Sequence, residues 1–205
     1  MTRKTFVIGF NKTASSTLHK LFISNSLRSV HDDKWVLNKY DCFTDNEANG
    51  MLNYKIYYNQ FPDAIFILNI RRVDTWLLSR LKHGFLTKQS WAWPPVVDNI
   101  KHWIDKRDKH YTAVLDFFKD KPDNLIVVNI EKPLWLEFLS EQLNLSIPTV
   151  KSANVTPTVE NKKIMTLIQD TITTAFNDLE YTDAQKSVFF TNTQLELVQL
   201  YKNNI

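Results

Sequence analysis

Ten residues near the N-terminus, Gly9-Phe10-Asn11-Lys12-Thr13-Ala14-Ser15-Ser16-Thr17-Leu18, place four hydroxyls and one ammonium directly after the apolar run Thr5 to Phe10. A run of that kind reads as a strand, and a hydroxyl-rich turn behind it opens a helix. Backbone N–H groups at a helix N-terminus have no intrahelical acceptor, and the helix dipole favours negative charge there. The chemistry these residues could do is to cradle a phosphate or sulfate. A Ser/Thr-rich helix cap beside a surface lysine is the plainer reading of the same segment.

A second group follows the apolar run Ala64 to Ile70: Arg71-Arg72-Val73-Asp74-Thr75-Trp76-Leu77-Leu78-Ser79. Arg71, at the end of a buried strand, offers a planar fork to a phosphate. Ser79, about a turn and a half into the next helix, adds a hydroxyl, and Asp74 can serve as its N-cap. Candidates for a general base are His31, at the end of a weak strand, Asp45 or Glu47 in the loop after Tyr40 to Thr44, and His83 near a helix end. His31 is favoured narrowly because imidazole titrates near working pH, with Asp45 as the alternative.

The order Lys-Thr-x-Ser-Ser-Thr resembles the 5′-phosphosulfate loop of sulfotransferases, typically K-T-G-T-T-S. It differs from the P-loop pattern GxxxxGK[ST], in which the lysine follows a second glycine. Arg71 to Ser79 is similar to that family's V-R-D-P-x-x-W-x-x-S, with Arg71, Trp76 and Ser79 in register and with Arg72 and Val73 departing from it. Asn124 to Pro148 looks like the family's last strand and following helix, and Lys151 to Pro157 like its loop with an asparagine near the nucleotide. The resemblance covers about Thr5 to Pro157 and is nearest to the carbohydrate and small-molecule sulfotransferases.

The resemblance implies a donor, 3′-phosphoadenosine 5′-phosphosulfate (PAPS), leaving adenosine 3′,5′-bisphosphate, and no required metal. It implies that Lys12 contacts the leaving phosphate and sulfuryl oxygens while Thr13, Ser15, Ser16 and Thr17 donate hydrogen bonds, with Ala14 where glycine is usual. Arg71 and Ser79 would hold the 3′-phosphate, and Lys151 and Asn154 would lie near the adenosine. The acceptor would be a hydroxyl of a glycan or small molecule, attacked in line as His31 or Asp45 removes its proton. One alternative is a small-molecule or nucleoside kinase using ATP and magnesium. Another is a non-catalytic descendant that keeps nucleotide binding.

The elements that must position these residues are short. Three continuous apolar runs, Thr5 to Phe10, Ala64 to Ile70 and Asn124 to Ile130, are those of parallel strands buried on both faces. Weaker strands are expected at Tyr40 to Thr44 and near Leu27 to His31. Ile100, Trp103, Ile104, Arg107, Tyr111, Val114, Leu115 and Phe118 recur at helical spacing, and so do Ile164, Leu167, Ile168, Ile172, Ala175, Phe176 and Leu179. Strand and helix in alternation predict a single, doubly wound α/β domain over residues 1–205 with a helical C-terminal tail from about residue 158, and the resemblance implies a three-layer, P-loop-NTPase-like fold whose central parallel sheet has about five strands. That tail could cover the sheet or a homodimer interface. Phe85 to Val97, with Trp91, Trp93 and two prolines, is expected to be an ordered loop that stacks on the acceptor or anchors itself to the core.

Of the 205 residues, 43% are hydrophobic and 23% charged, which removes disordered and fibrous classes. The charge balance of 25 Lys+Arg against 22 Asp+Glu is too even to argue for nucleic acid or an anionic membrane as partner. Cys42 is the only cysteine, so no disulfide scaffold or cysteine-rich zinc site can form. No window reaches the ~18 apolar residues of a membrane span, and a cytoplasmic location is the expectation.

Overall fold

The computed structural model describes residues 3–46, 50–147 and 158–182. Its five strands are β1 (Thr5–Val7), β2 (Ser29–His31), β3 (Cys42–Thr44), β4 (Ile65–Ile70) and β5 (Leu125–Asn129). They form one all-parallel sheet in the order β2-β3-β1-β4-β5. Its helices are α1 (Ser15–Ser24), α2 (Tyr54–Gln60), α3 (Val73–Thr87), α4 (Val97–Phe118), α5 (Trp135–Leu143) and α6 (Lys162–Asp178). The chain is thus an α/β protein with a five-stranded parallel sheet flanked by helices. Among the described residues no helix is long and apolar enough to cross a membrane.

Two compact units are distinguishable. One contains the sheet, α1, α2, α5 and the end of α4 from His110. Successive strand residues point to opposite faces, so Phe6 and Val7 serve different layers. On the Val7 face, Cys42, Ile67 and Val128 meet Leu18 and Phe22 of α1 and Leu139 of α5. On the other face the Phe6 ring stacks on Phe43 and on Tyr57 of α2 at 4.8 Å and on Phe66 at 5.3 Å, while Phe118 of α4 lies 4.9 Å from Phe66. Large rings fill this layer because each removes much apolar surface from water. With both faces covered, alternation of polar and apolar residues would bury polar groups, which is why the runs are continuous. The Cys42 thiol, inside the core, is pushed up to about 12 by burial.

The other unit holds residues 71–109 and the described residues from 158 onward. Here α6 packs on α3 and buries Ile168, Ile172, Ala175 and Phe176. Leu167 and Leu179, which the periodicity places on the same face, are exposed. Asn161 caps α6, its side chain accepting the Ile164 N–H. Arg80 is 4% exposed, with its guanidinium over Trp76, Trp91 and Trp103 at 5.2, 4.9 and 4.6 Å, where ring faces compensate part of the lost hydration.

Two local expectations are corrected. Asp74 is not the N-cap of α3, since Arg72 occupies that place and Asp74 sits in the first turn, where it accepts the Thr75 N–H at 2.8 Å. The helix also runs on to Thr87, so Phe85 to Thr87 are helical and His83 lies inside α3 rather than at its end. Lys88, in the left-handed region at φ 55°, stops it. The following segment is anchored on its own unit: Trp93 packs edge-on against Phe85, and Trp91 against Trp103.

Candidate functional site

All five strands are parallel, so the segments after β1, β2, β3 and β4 leave one edge of the sheet. The order reverses at β1, which has β3 on one side and β4 on the other, and ligands of open parallel sheets bind beyond such a reversal. The loop after β1 is therefore where a site is expected, and its shape is set from below by Asn69 of β4. Asn69 Oδ1 accepts the Gly9 N–H at 3.0 Å, and Nδ2 donates to the Thr13 carbonyl at 2.6 Å and to Thr13 Oγ1 at 2.7 Å. A Cβ on Gly9 would overlap the carbonyl and the side-chain amide of Asn69, so glycine is required by close approach.

Lys12 and Ala14 both adopt left-handed backbone, at φ 64° and 68°, with Thr13 between them at negative φ. Such an alternation turns successive N–H groups toward one point and makes an anion-binding concavity. The Thr17 and Leu18 N–H groups return to the Ala14 carbonyl, both at 3.0 Å, which starts α1. Among the described residues nothing accepts the backbone N–H of Thr13, Ala14, Ser15 or Ser16. These donors lie at the N-terminus of a 10-residue helix, where the dipole favours negative charge, and Lys12 is in the same loop.

Three of the loop's hydroxyls bond to other groups of the protein. Thr13 is fully buried and its hydroxyl donates to the Phe10 carbonyl while accepting from Asn69. Ser15 Oγ donates to Asp45 Oδ2 at 2.9 Å. Ser16 Oγ lies 3.0 Å from His31 Nε2. A hydroxyl has one proton, so Thr13 and Ser15 spend theirs within the protein, and the N–H groups of Thr13 to Ser16 are the donors left without an acceptor among the described residues. Thr17 is buried in α1.

His31 and Asp45 are both brought beside the loop, His31 through Ser16 and Asp45 through Ser15. His31 Nδ1 lies 2.9 Å from Thr44 Oγ1, and its ring stacks on His19 with centroids 5.3 Å apart. Burial, and after it the neighbouring His31, push the His19 imidazole below its ordinary value. Asp45 itself is left-handed at φ 51°.

In the other unit Arg71 follows β4 directly, and its Nε donates to Thr75 Oγ1 at 3.3 Å. Its carbonyl accepts from Nη2 of Arg107 at 2.9 Å, and Arg107, 1% exposed, also donates to Asp108 at 2.7 Å. Tyr181 closes the chain of bonds through Asp108 Oδ2 at 2.7 Å, and burial together with that bond pushes its phenol up. Arg72 pairs with Asp74 through two bonds of 3.0 and 2.7 Å. Ser79 is buried in α3, and His83 is partly buried there.

Residues to which the sequence reading gives no role in the site are Asn69, Thr44, His19 and Arg107. Asn69 shows as the one polar residue inside Ile65 to Ile70, and Arg107 as a cation at an apolar position of α4. Glu47, Lys151 and Asn154 lie outside the described residues. Among the described residues no cluster of three His, Cys, Asp or Glu could hold a metal ion. In comparisons with known proteins, no family model matches the chain and no curated protein matches it.

Proposed function

We propose that this protein is a PAPS-dependent sulfotransferase that moves a sulfuryl group to a hydroxyl of a glycan or small-molecule acceptor. The observation that carries the reading is the loop after β1, where the N–H groups of Thr13 to Ser16 have no acceptor among the described residues and Lys12 and Ala14 are left-handed. A concavity of amides at a helix N-terminus fits the 5′-phosphosulfate end of the donor. When bound, PAPS supplies the sulfuryl group and an adenosine bisphosphate leaving group. Lys12 then stabilises negative charge on the bridging and sulfuryl oxygens, in a role that strengthens as charge develops. Arg71 and Ser79 are assigned to the 3′-phosphate by their motif. His31 or Asp45 receives the acceptor proton. The expected location remains the cytoplasm.

Calorimetric titration with adenosine 3′,5′-bisphosphate and with 5′-ADP, each with and without magnesium, tests this. Tight, metal-independent binding of the bisphosphate with 5′-ADP much weaker is the expected result. Magnesium-dependent binding of 5′-ADP with no gain from the 3′-phosphate would replace the reading with a kinase.

A further inference from the structure

His31 has both ring nitrogens engaged by hydroxyls, and the protons can be assigned by counting. Thr44, fully buried at the end of β3, donates its one hydroxyl proton to the Val30 carbonyl at 3.0 Å. A carbonyl can only accept, so that proton is not available to His31. Thr44 Oγ1 lies 2.9 Å from His31 Nδ1, and with its proton used elsewhere it can only accept there. Nδ1 therefore carries the hydrogen. In the neutral ring Nε2 then holds the lone pair, and it faces Ser16 Oγ at 3.0 Å. Ser16 makes no other side-chain hydrogen bond among the described residues, so its proton points at Nε2.

We infer that Thr44 is a positioning residue that presets His31 as the Nδ1-protonated tautomer, so that the proton-accepting nitrogen is Nε2 and it is reached through the Ser16 hydroxyl. A nucleophile or proton donor, a base and a third group that orients the base is the arrangement through which imidazoles act. A proton arriving at Ser16 Oγ from an acceptor hydroxyl is matched by transfer of the Ser16 proton to Nε2. Ser16 is unchanged and His31 becomes the imidazolium, which Thr44 still accommodates as an acceptor. The tautomer stands on the hydrogen bonds alone, whereas its use in removing an acceptor proton rests on the sulfotransferase reading.

The test is a two-bond proton–nitrogen NMR correlation of the imidazoles in the full-length protein, at a pH where His31 is neutral, with its signals assigned by their loss in His31→Gln. The wild type is expected to show a pyrrole-like Nδ1 and a pyridine-like Nε2. Thr44→Val, which removes the hydroxyl and keeps the shape, should convert Nε2 toward the pyrrole-like position, and Thr44→Ser should restore the wild-type pattern. A pyrrole-like Nε2 in the wild type overturns the inference without any variant, and so does a Thr44→Val spectrum identical to the wild type. Adding adenosine 3′,5′-bisphosphate separates the two readings. A shifted His31 Nε2 joins the tautomer to the donor site, and an unmoved one removes the Ser16 route while the sulfotransferase reading is judged by calorimetry.

Discussion

Asn69 holds Thr13 at two points, donating to its carbonyl at 2.6 Å and to its hydroxyl oxygen at 2.7 Å, and the same amide receives the Gly9 N–H at 3.0 Å. One fully buried side chain in the neighbouring strand thereby sets both ends of the loop that carries Lys12.

Replacing Asn69 by leucine keeps the volume but leaves the Gly9 N–H without an acceptor in the core. A buried unsatisfied donor costs about 1–3 kcal/mol, and the loss should appear in urea denaturation. Bisphosphate affinity in calorimetry should fall with it, because the loop amides are no longer held in place. Unchanged affinity would mean that the loop keeps its shape without Asn69.

Arg107→Met should destabilise the protein by about 2–3 kcal/mol, below the 3–5 kcal/mol of a fully buried pair because Asp108 is 31% exposed and partly screened by water. It removes the donor to the Arg71 carbonyl and leaves Asp108 with Tyr181. Denaturation midpoints at unchanged m-value would measure it. A variant as stable as the wild type would show that this bond chain does not hold the start of α3.

Arg71→Ala should weaken bisphosphate binding by about 2–5 kcal/mol, the range for a charged partner lost from a desolvated pair. Lys12→Ala should lower turnover much more than nucleotide affinity, since it acts on charge that develops in the transition state. Equal losses in both quantities would make Lys12 a binding residue only.

Acid sensitivity is expected at the β2–β3 connection. Arg28 donates to both oxygens of Asp41 at 2.8 and 2.9 Å, and this outweighs burial to hold the Asp41 carboxyl below its ordinary value. The unfolded chain then takes up the proton at a higher pH than the folded one. The contribution is complete above the ordinary aspartate pKa of ~3.9 and is lost as pH falls through it toward the lower folded value. Asp41→Asn should cost about 1–2 kcal/mol at neutral pH, given the exposed arginine. Its deficit against the wild type should shrink below about pH 4. A deficit independent of pH would mean that shape, not charge, is what Asp41 supplies.

Much of the fold was legible along the chain because both faces of a parallel sheet are covered, so its strands are written as continuous apolar runs such as Ile65 to Ile70. The turn from β1 into α1 was legible too, since a hydroxyl-rich segment behind an apolar run marks a helix start. α2 escaped the reading because seven residues, Tyr54 to Gln60, carry too few turns to show a period. Asp74 was misplaced as a cap because cap geometry depends on backbone angles that residue types only bias.

What the sequence alone determined was residue identity in order: Lys12 and its hydroxyls after one strand, Arg71 after another, His31 and Asp45 at the ends of weaker ones. Only tertiary structure decided where each proton goes. Ser15 meets Asp45 across 30 positions of sequence, Ser16 meets His31 across 15, and Asn69 meets Thr13 across 56. The physical reason is that a hydroxyl donates once, and which acceptor takes that proton depends on a distance of about 3 Å that no local pattern encodes. The loop's hydroxyls found partners at the ends of neighbouring strands, while the N–H groups of Thr13 to Ser16 have no acceptor among the described residues.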